Sequence, residues 1–454
     1  MWPADCGPSA FAAIKFGVSH RLKGGRAGSD APRRLCRQNP LVNSSDANRV
    51  LTSEGISNFG SMLSRLTIPW IATLALRATP LQMAALLIAD VLAAGIASLI
   101  LGSLVDRSGK RMMMLVADGA RFALLGALAL SVWFGLASYV LLLAVAAANG
   151  VLTIGFELAR SAWMAQRVPC EDLPRRNAQL SAIGSLSETA AFALGGWFFQ
   201  WLGAALALAL DSVSYAISAG CLHGVQEVAG IHEQRNPAGG WRAAARYAAG
   251  GARVVSASLV LRSLAGIEAL LAFAMALTGT CYFIYVSRDL GLPTGILGLI
   301  FAVGGLGSVA GAAVAPWLGR RFGAAHTMIA ALALLCFGAT FIPLARGAGW
   351  VAMTLLAAHQ IIGDAGHTAY GVHDRTIRQT TVPTELLARA DAGIRAAGQL
   401  ATLAGAIVGG VVGSVVGTRG VLWLAVVPFA IAVVLAARRL DGSLPVSGLI
   451  HEID

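Results

Sequence analysis

Long apolar segments alternate with short polar stretches along most of this chain. From about residue 50 onward each apolar segment is ~20 residues long, the length that an α-helix needs to cross a bilayer. The pattern predicts an all-α integral membrane protein with about twelve transmembrane helices. The predicted spans are 52–76, 80–104, 112–134, 137–158, 178–201, 204–225, 264–286, 294–317, 325–345, 349–371, 391–414 and 418–437.

Composition supports this interpretation and excludes others. Hydrophobic residues make up 56% of the chain and charged residues 13%, whereas a soluble domain is typically ~25% charged. A net charge of +11 is also typical of proteins that bind nucleic acid, but here the basic residues fall in short loops between apolar segments. We therefore expect no nucleic-acid partner. The six cysteines are scattered singly, without disulfide or metal-ligand spacing.

The loop charges predict an orientation. Alternate loops are rich in arginine and lysine, whereas the remaining loops carry at most one such residue each: Arg77, Arg288, Arg346 and Arg419. Loops rich in Lys and Arg stay in the cytoplasm. We therefore expect a protein of the cytoplasmic (inner) membrane with both termini in the cytoplasm.

The apolar pattern also divides the chain. We expect a polar, disordered cytoplasmic tail (1–49), a first six-helix half (50–225), a cytoplasmic linker (226–262), a second half (263–440) and a short tail (441–454). The first tail lacks the apolar core of a secretory signal. A start codon assigned too far upstream explains this tail equally well.

The two halves are a sequence repeat. A signature of Val, Pro, Leu, Arg and Ala at 168–178 recurs with the same spacing at 382–392, an offset of 214 residues. The same offset pairs Gly203 with Gly417. Two pseudo-symmetric halves inserted the same way up are an architecture of secondary transporters.

A tight hairpin joins the second and third predicted spans. Because its charges cannot enter hydrocarbon, it lies at one interface, and we expect its aspartate to cap the following helix. Its constrained positions are Gly102, Leu104, Asp106, Arg107, Gly109, Lys110 and Arg111. This stretch resembles the loop 2–3 signature of the major facilitator superfamily, Gly-x-Leu-x-Asp-Arg-x-Gly-Arg/Lys-Arg/Lys. At the repeat offset Arg320 replaces the aspartate, so the first hairpin is the specialised one.

Further motifs resemble the twelve-span exporter branch of that family, which includes drug, macrolide and siderophore exporters. They are Ser57-Asn58-Phe59-Gly60, Asp118-x-x-Arg121 and the repeated Val-Pro signature. The chain departs from the branch where Ala191-Phe192 replaces a Gly-Pro pair before Gly195-Gly196. The resemblance implies a transporter that works as a monomer without a cofactor, exchanging protons for small hydrophobic or amphipathic molecules. Import, flipping of lysophospholipids and a non-transporting receptor are the alternatives.

Acids inside apolar spans are costly, so they usually serve a cavity, a pair or a proton path. Asp90 and Glu188 lie about midway along their spans, ~15 Å deep. Arg65, also within a span, needs an acid or an anionic substrate because it cannot deprotonate. We expect Glu188 to carry the proton and Asp90 to pair with Arg65, against the simpler alternative that both acids are structural.

Other intramembrane groups allow two interpretations. Asp211, Asp364 and His359 either serve proton coupling or are satisfied buried groups. Asp118 with Arg121, and Glu157 with Arg160, have the i, i+3 spacing of structural pairs. An apolar cavity could be lined by Trp70, Phe273, Tyr282, Tyr285 and Tyr370. The chain has no Gly-x-x-x-x-Gly-Lys loop for ATP and no metal-ligand or nucleophile motif, so we do not expect an enzyme.

Overall fold

The computed structural model describes residues 44–169, 172–227 and 250–440. Most of the predicted tails and the middle of the predicted linker lie outside these ranges. The regular elements of the described residues are all helices, which confirms the predicted fold class. They are α1 (Ser44–Trp70), α2 (Pro80–Arg107), α3 (Lys110–Trp133), α4 (Tyr139–Arg167), α5 (Leu173–His223), α6 (Leu259–Ile284), α7 (Thr294–Phe322), α8 (Ala324–Leu344), α9 (Trp350–Thr381), α10 (Thr384–Val416) and α11 (Thr418–Arg439).

Several helices run past the predicted spans on the arginine-rich side. Helix α1 begins at Ser44 inside the predicted tail, and α9 continues to Thr381 rather than ending near residue 371. Hydropathy marks only the part of a helix that lies in hydrocarbon. The polar turns that continue beyond it are invisible to that signal.

Nine described segments are long and apolar enough to cross a membrane. One of them, within α5, is long enough for two crossings. Helices α1 and α9 are not among the nine, because polar and charged residues interrupt their apolar character. Counting both limbs of α5 together with α1 and α9 gives the twelve predicted spans.

Backbone irregularities recur at the repeat offset. Helix α5 bends at Gly203, whose φ and ψ of 81° and 168° are matched by 85° and 164° at Gly417 between α10 and α11. Short π-helical turns follow α1 and α6, at Ile71–Ala75 and Tyr285–Asp289. The two halves therefore share their bends as well as their sequence signature.

Helices pack mainly within their own half. In the first half α1 lies against α5 and α2 against α4, and in the second α6 lies against α10 and α7 against α9. Separate apolar cores form inside each half, one around Leu125 and Leu142 and another around Leu264 and Met328.

The halves meet at the end of the bundle opposite the arginine-rich loops, here called the outer end. Gly196 on α5 lies against Thr294 and Gly298 on α7, so closely that a Cβ on Gly298 would meet the backbone of α5. On the other side of the bundle Gly410 on α10 lies against Ala84 on α2.

An aromatic cluster and one hydrogen bond add to this junction. Trp70 of the first half packs edge-on against Phe283 of the second, with ring centroids 6.1 Å apart. Phe192 on α5 contacts Phe301 on α7 at 5.6 Å. Arg288 donates a hydrogen bond of 3.0 Å to the carbonyl of Ala78.

Candidate functional site

The contacts between the halves and the exposure of charged side chains indicate a cleft that opens toward the arginine-rich end. The contacts between the halves run from the outer end to about the middle of the bundle, where Thr189 on α5 lies beside Gly305 on α7. At about this depth the side chains of Arg65, Asp90 and Glu188 are exposed. Three charged residues in the middle of transmembrane helices are therefore in reach of solvent from the open side.

Asp90 and Arg65 are neighbours in the first half. Asp90 lies against Gly150 of α4, since a Cβ on that glycine would be 2.8 Å from the carboxylate. The charge of Arg65 acts on this carboxylate, but among the described residues no acid lies within the 4.0 Å of an ion pair with Arg65. The contact found for its guanidinium is Met62 Sδ at 3.7 Å. The expected direct pair is not formed in this state of the cleft.

Glu188 and Asp364 are neighbours across the two halves. Asp364 on α9 lies against Gly304 of α7, and Glu188 on α5 is its electrostatic neighbour. Residues 176 positions apart, each on a different half, thus place two carboxylates near one another at the end of the cleft.

Asp211 is held inside the first half. Its side chain is fully buried and accepts hydrogen bonds from the hydroxyls of Ser64 and Ser214, the latter at 3.3 Å. These bonds join α1 to the second limb of α5. The arrangement favours a structural carboxylate over a group of the cleft.

Asp118 and Arg121 lie in the same buried network. Asp118 accepts a hydrogen bond of 2.6 Å from Ser218 and is 3.7 Å from Arg121. The guanidinium also lies 5.0 Å from the ring centroid of Tyr215, a cation–π contact. This pair holds α3 to α5.

The predicted pair of Glu157 with Arg160 is wrong, because Arg160 forms its ion pair with Glu54 of α1. Arg160 reaches across to the neighbouring helix α1, whereas Glu157 is exposed. Glu54 was missed by the sequence analysis, although the offset of 214 residues pairs it with Glu268, also near the start of its span.

The second half has a polar cluster that the sequence analysis also missed. Arg378 on α9 pairs with Asp374 one turn earlier and with Asp391 of α10 at 2.8 Å. The i, i+4 spacing of Asp374 and Arg378 was the available signal. His359 is linked to the carbonyl of Gly338 at 3.1 Å through Nδ1, which favours a satisfied buried group.

The hairpin between α2 and α3 is closed by a residue from elsewhere in the chain. Glu227, beyond the end of α5, accepts hydrogen bonds of 3.2 Å from the backbone N–H groups of Arg111 and Met112. It therefore serves as the carboxylate at the start of α3 that was expected of Asp106. Asp106 lies in the last turn of α2, and its side chain is outside the described part of the structure.

The predicted cavity aromatics are mostly packed. Trp70 is fully buried, and the hydroxyl of Tyr285 is bonded to the carbonyl of Ala345. The buried hydroxyls of Tyr282 and Tyr370 have no hydrogen-bond partner among the described residues. The described residues contain no group of three or more His, Cys, Asp or Glu placed to hold a metal.

Comparison with known proteins gives a family match. The model of the Major Facilitator Superfamily matches residues 50–363. An uncharacterised MFS-type transporter of Sinorhizobium fredii, y4rN, is 27% identical over 268 residues, which are 57% of this chain and 63% of that protein. The chain thus matches less than two thirds of this relative.

Solved structures show the same fold. A bacterial homologue of the iron transporter ferroportin in its inward-facing state superposes with a TM-score of 0.67 at 17% identity, over 86% of this chain and 98% of the homologue. The outward-facing state of a bacterial ferroportin homologue gives 0.54 over 87% and 99%. The nucleoside transporter NupG gives 0.62 at 13% identity over 87% and 98%. These solved structures share the fold of this chain.

Proposed function

Because the chain belongs to the major facilitator superfamily, we propose that it is a secondary active transporter that exports small hydrophobic or amphipathic molecules in exchange for protons. The two halves rock about a central site, as in other transporters built from parallel repeats. The arginine-rich end faces the cytoplasm, since loops rich in Lys and Arg stay on that side.

The observation that carries the proposal is the set of exposed charged groups at the end of the cleft. A cleft that opens on one side only, with Asp90 and Glu188 near its closed end, supports alternating access to a site that can bind protons. A carboxylate in partly desolvated surroundings takes up a proton more readily than one in open water, because desolvation disfavours the charged form. Glu188 is the proposed carrier, because Asp90 has the positive charge of Arg65 as its neighbour, whereas Glu188 has the carboxylate of Asp364.

Two other parts of the proposal concern direction and control. The hairpin of α2 and α3 acts as a latch on the cytoplasmic side, where Glu227 and Arg111 tie it to the end of α5.

Uptake into everted vesicles separates export from import. A reporter fused after Asp454 tests the orientation, since periplasmic activity of that fusion would contradict cytoplasmic termini.

The test of proton coupling uses proteoliposomes and a compound found by growth-inhibition profiling of a host with and without the gene. In wild-type vesicles a gradient of this compound should move protons. Glu188→Gln should abolish this movement but leave exchange of the compound intact at saturating concentration, because exchange needs no net proton transfer. Asp172→Asn, in an exposed position at the start of α5, is the matched control. Normal proton movement in the Glu188→Gln vesicles would show that Glu188 is not the carrier.

A further inference from the structure

The two halves place an acid at equivalent positions, but on different helices. In the first half Asp90 on α2 faces Gly150 on α4. In the second half Gly304 on α7 faces Asp364 on α9. The offset of 214 residues carries Asp90 onto Gly304 and Gly150 onto Asp364. The acid and the glycine have exchanged helices, and each half keeps one carboxylate at the same depth.

The two acids differ in their electrostatic surroundings. Asp90 has the positive charge of Arg65 as its neighbour. Asp364 has the negative charge of Glu188 instead. In the described part of the chain neither Glu188 nor Asp364 has a basic group within ion-pair distance. No basic group of the described residues therefore pairs with the negative charge at this second position.

A buried hydroxyl also faces this position. Tyr282 on α6 is only 5% exposed, and its hydroxyl has no hydrogen-bond partner among the described residues. The charge of Asp364 acts on it. Buried polar groups are almost always bonded, so an unpartnered hydroxyl with this carboxylate as its electrostatic neighbour indicates a site that a ligand completes.

Aromatic rings lie one helical turn from Glu188 and one helical turn from Gly304, the glycine that Asp364 contacts. Phe192 is four residues after Glu188 on α5, and Phe301 is three residues before Gly304 on α7. Their rings are in contact, and Tyr282 packs against Phe301 with ring centroids 5.6 Å apart. Both phenylalanines are partly exposed. Carboxylates below aromatic rings suit an organic cation, which gains from ion pairing and from cation–π contact.

We propose that Glu188 of one half and Asp364 of the other, with Tyr282 and the rings of Phe192 and Phe301, bind an amphipathic organic cation in the cleft. This inference rests on the proposed transport function and names the charge of its substrate. A hard metal ion fits less well, since calcium takes six to eight oxygen ligands and the rings offer none.

The site also joins substrate binding to the conformation of the protein. Its two carboxylates belong to different halves, so the pair is assembled only when the halves approach at the outer end. A cation entering from the open side would stabilise this state by relieving the repulsion between the acids. A proton taken up by Glu188 would remove the negative charge of that side chain and so weaken the attraction of the site for the cation. Protons and the cation therefore compete for one site.

The test measures binding rather than transport. Radiolabelled tetraphenylphosphonium is bound to the purified full chain on beads, and triphenylphosphine oxide serves as a neutral competitor of similar shape. Glu188→Gln and Asp364→Asn should each weaken binding of the cation about tenfold, equivalent to ~1.4 kcal/mol. Affinity for the neutral compound should change less than twofold. Asp172→Asn is the control, and the melting temperature of each variant shows that it is folded.

Three outcomes would overturn the inference. They are unchanged affinity for the cation in both variants, an equal loss of affinity for the neutral compound, and binding of Mn²⁺ that needs both acids while tetraphenylphosphonium does not compete. The proposed proton exchange fails separately, if the protein binds the cation through these acids but moves no protons in vesicles.

Discussion

At the residue scale, charged side chains inside the helices divide into two groups by burial. Asp118, Arg121 and Asp211 are buried and bonded to groups on neighbouring helices. Asp90 and Glu188 are exposed in the cleft. Hydrocarbon tolerates charge only where it is paired or reaches water, so the first group stabilises the bundle and the second remains available for ligands.

The ion pair of Glu54 with Arg160 gives a prediction for stability. Both side chains are more than four-fifths buried, so Glu54→Gln leaves a buried guanidinium without its charge partner. We expect this variant to lower the free energy of unfolding by ~1–3 kcal/mol. Glu157→Gln, on the same helix as Arg160 but exposed, should have little effect. A double-mutant cycle with Arg160→Met, followed by thermal unfolding in detergent, measures the coupling. Equal effects at Glu54 and Glu157 would contradict the assignment.

At the scale of elements, the bends of the helices are set by glycines in a conformation that other residues avoid. Gly203 and Gly417 have φ above 80° and extended ψ, a region accessible essentially to glycine alone. Each lies between the last two spans of its half. The repeat therefore conserves the turn at which the chain reverses direction at the outer end.

Replacing the glycine in one of these bends should strain the backbone. We expect Gly203→Ala to cost ~1–3 kcal/mol of stability and Gly417→Ala a similar amount. The matched control is Gly220→Ala on the second limb of α5, where a Cβ would meet nothing within 4 Å and alanine favours the helix. Thermal unfolding in detergent compares them. Loss of stability at Gly220 equal to that at Gly203 would show that backbone conformation is not the cause.

At the scale of the whole molecule, the two halves are joined at the outer end and separate toward the arginine-rich end. The junction consists of close glycine contacts, an aromatic cluster and the bond from Arg288 to the carbonyl of Ala78. The proposed alternating access requires these contacts to break when the cleft opens on the other side. In that proposal the closed end is a gate between two arrangements of the halves.

A reversible cross-link tests this arrangement. A Cβ on Gly305 would lie 4.0 Å from that of Thr189 in the other half, within the range that a disulfide needs. Thr189→Cys with Gly305→Cys, in a background without native cysteines, should therefore form a disulfide. Transport in vesicles should stop on oxidation and return on reduction. Arg175→Cys with Phe322→Cys is the control pair at the arginine-rich ends of α5 and α7. This pair should not cross-link while the cleft is open at that end. Cross-linking of this second pair alone would mean that the cleft opens at the outer end.

The membrane fold, the span count and the repeat can all be read from the amino-acid sequence alone. These properties follow from local quantities: the length of apolar segments, the position of basic loops and the spacing of signatures such as 168–178 and 382–392. The sequence also identified Asp90, Glu188 and Arg65 as unusual, since a charge in an apolar segment is conspicuous without any knowledge of its neighbours.

Which of these charges meet depends on the three-dimensional packing of the helices. It placed Arg160 against Glu54 rather than Glu157, and Glu188 beside Asp364 of the other half. The facing direction of a side chain depends on helix rotation, and contact between halves depends on how closely they approach. Neither is encoded in hydropathy or in local spacing, because both are set by the packing of helices that lie far apart in the chain.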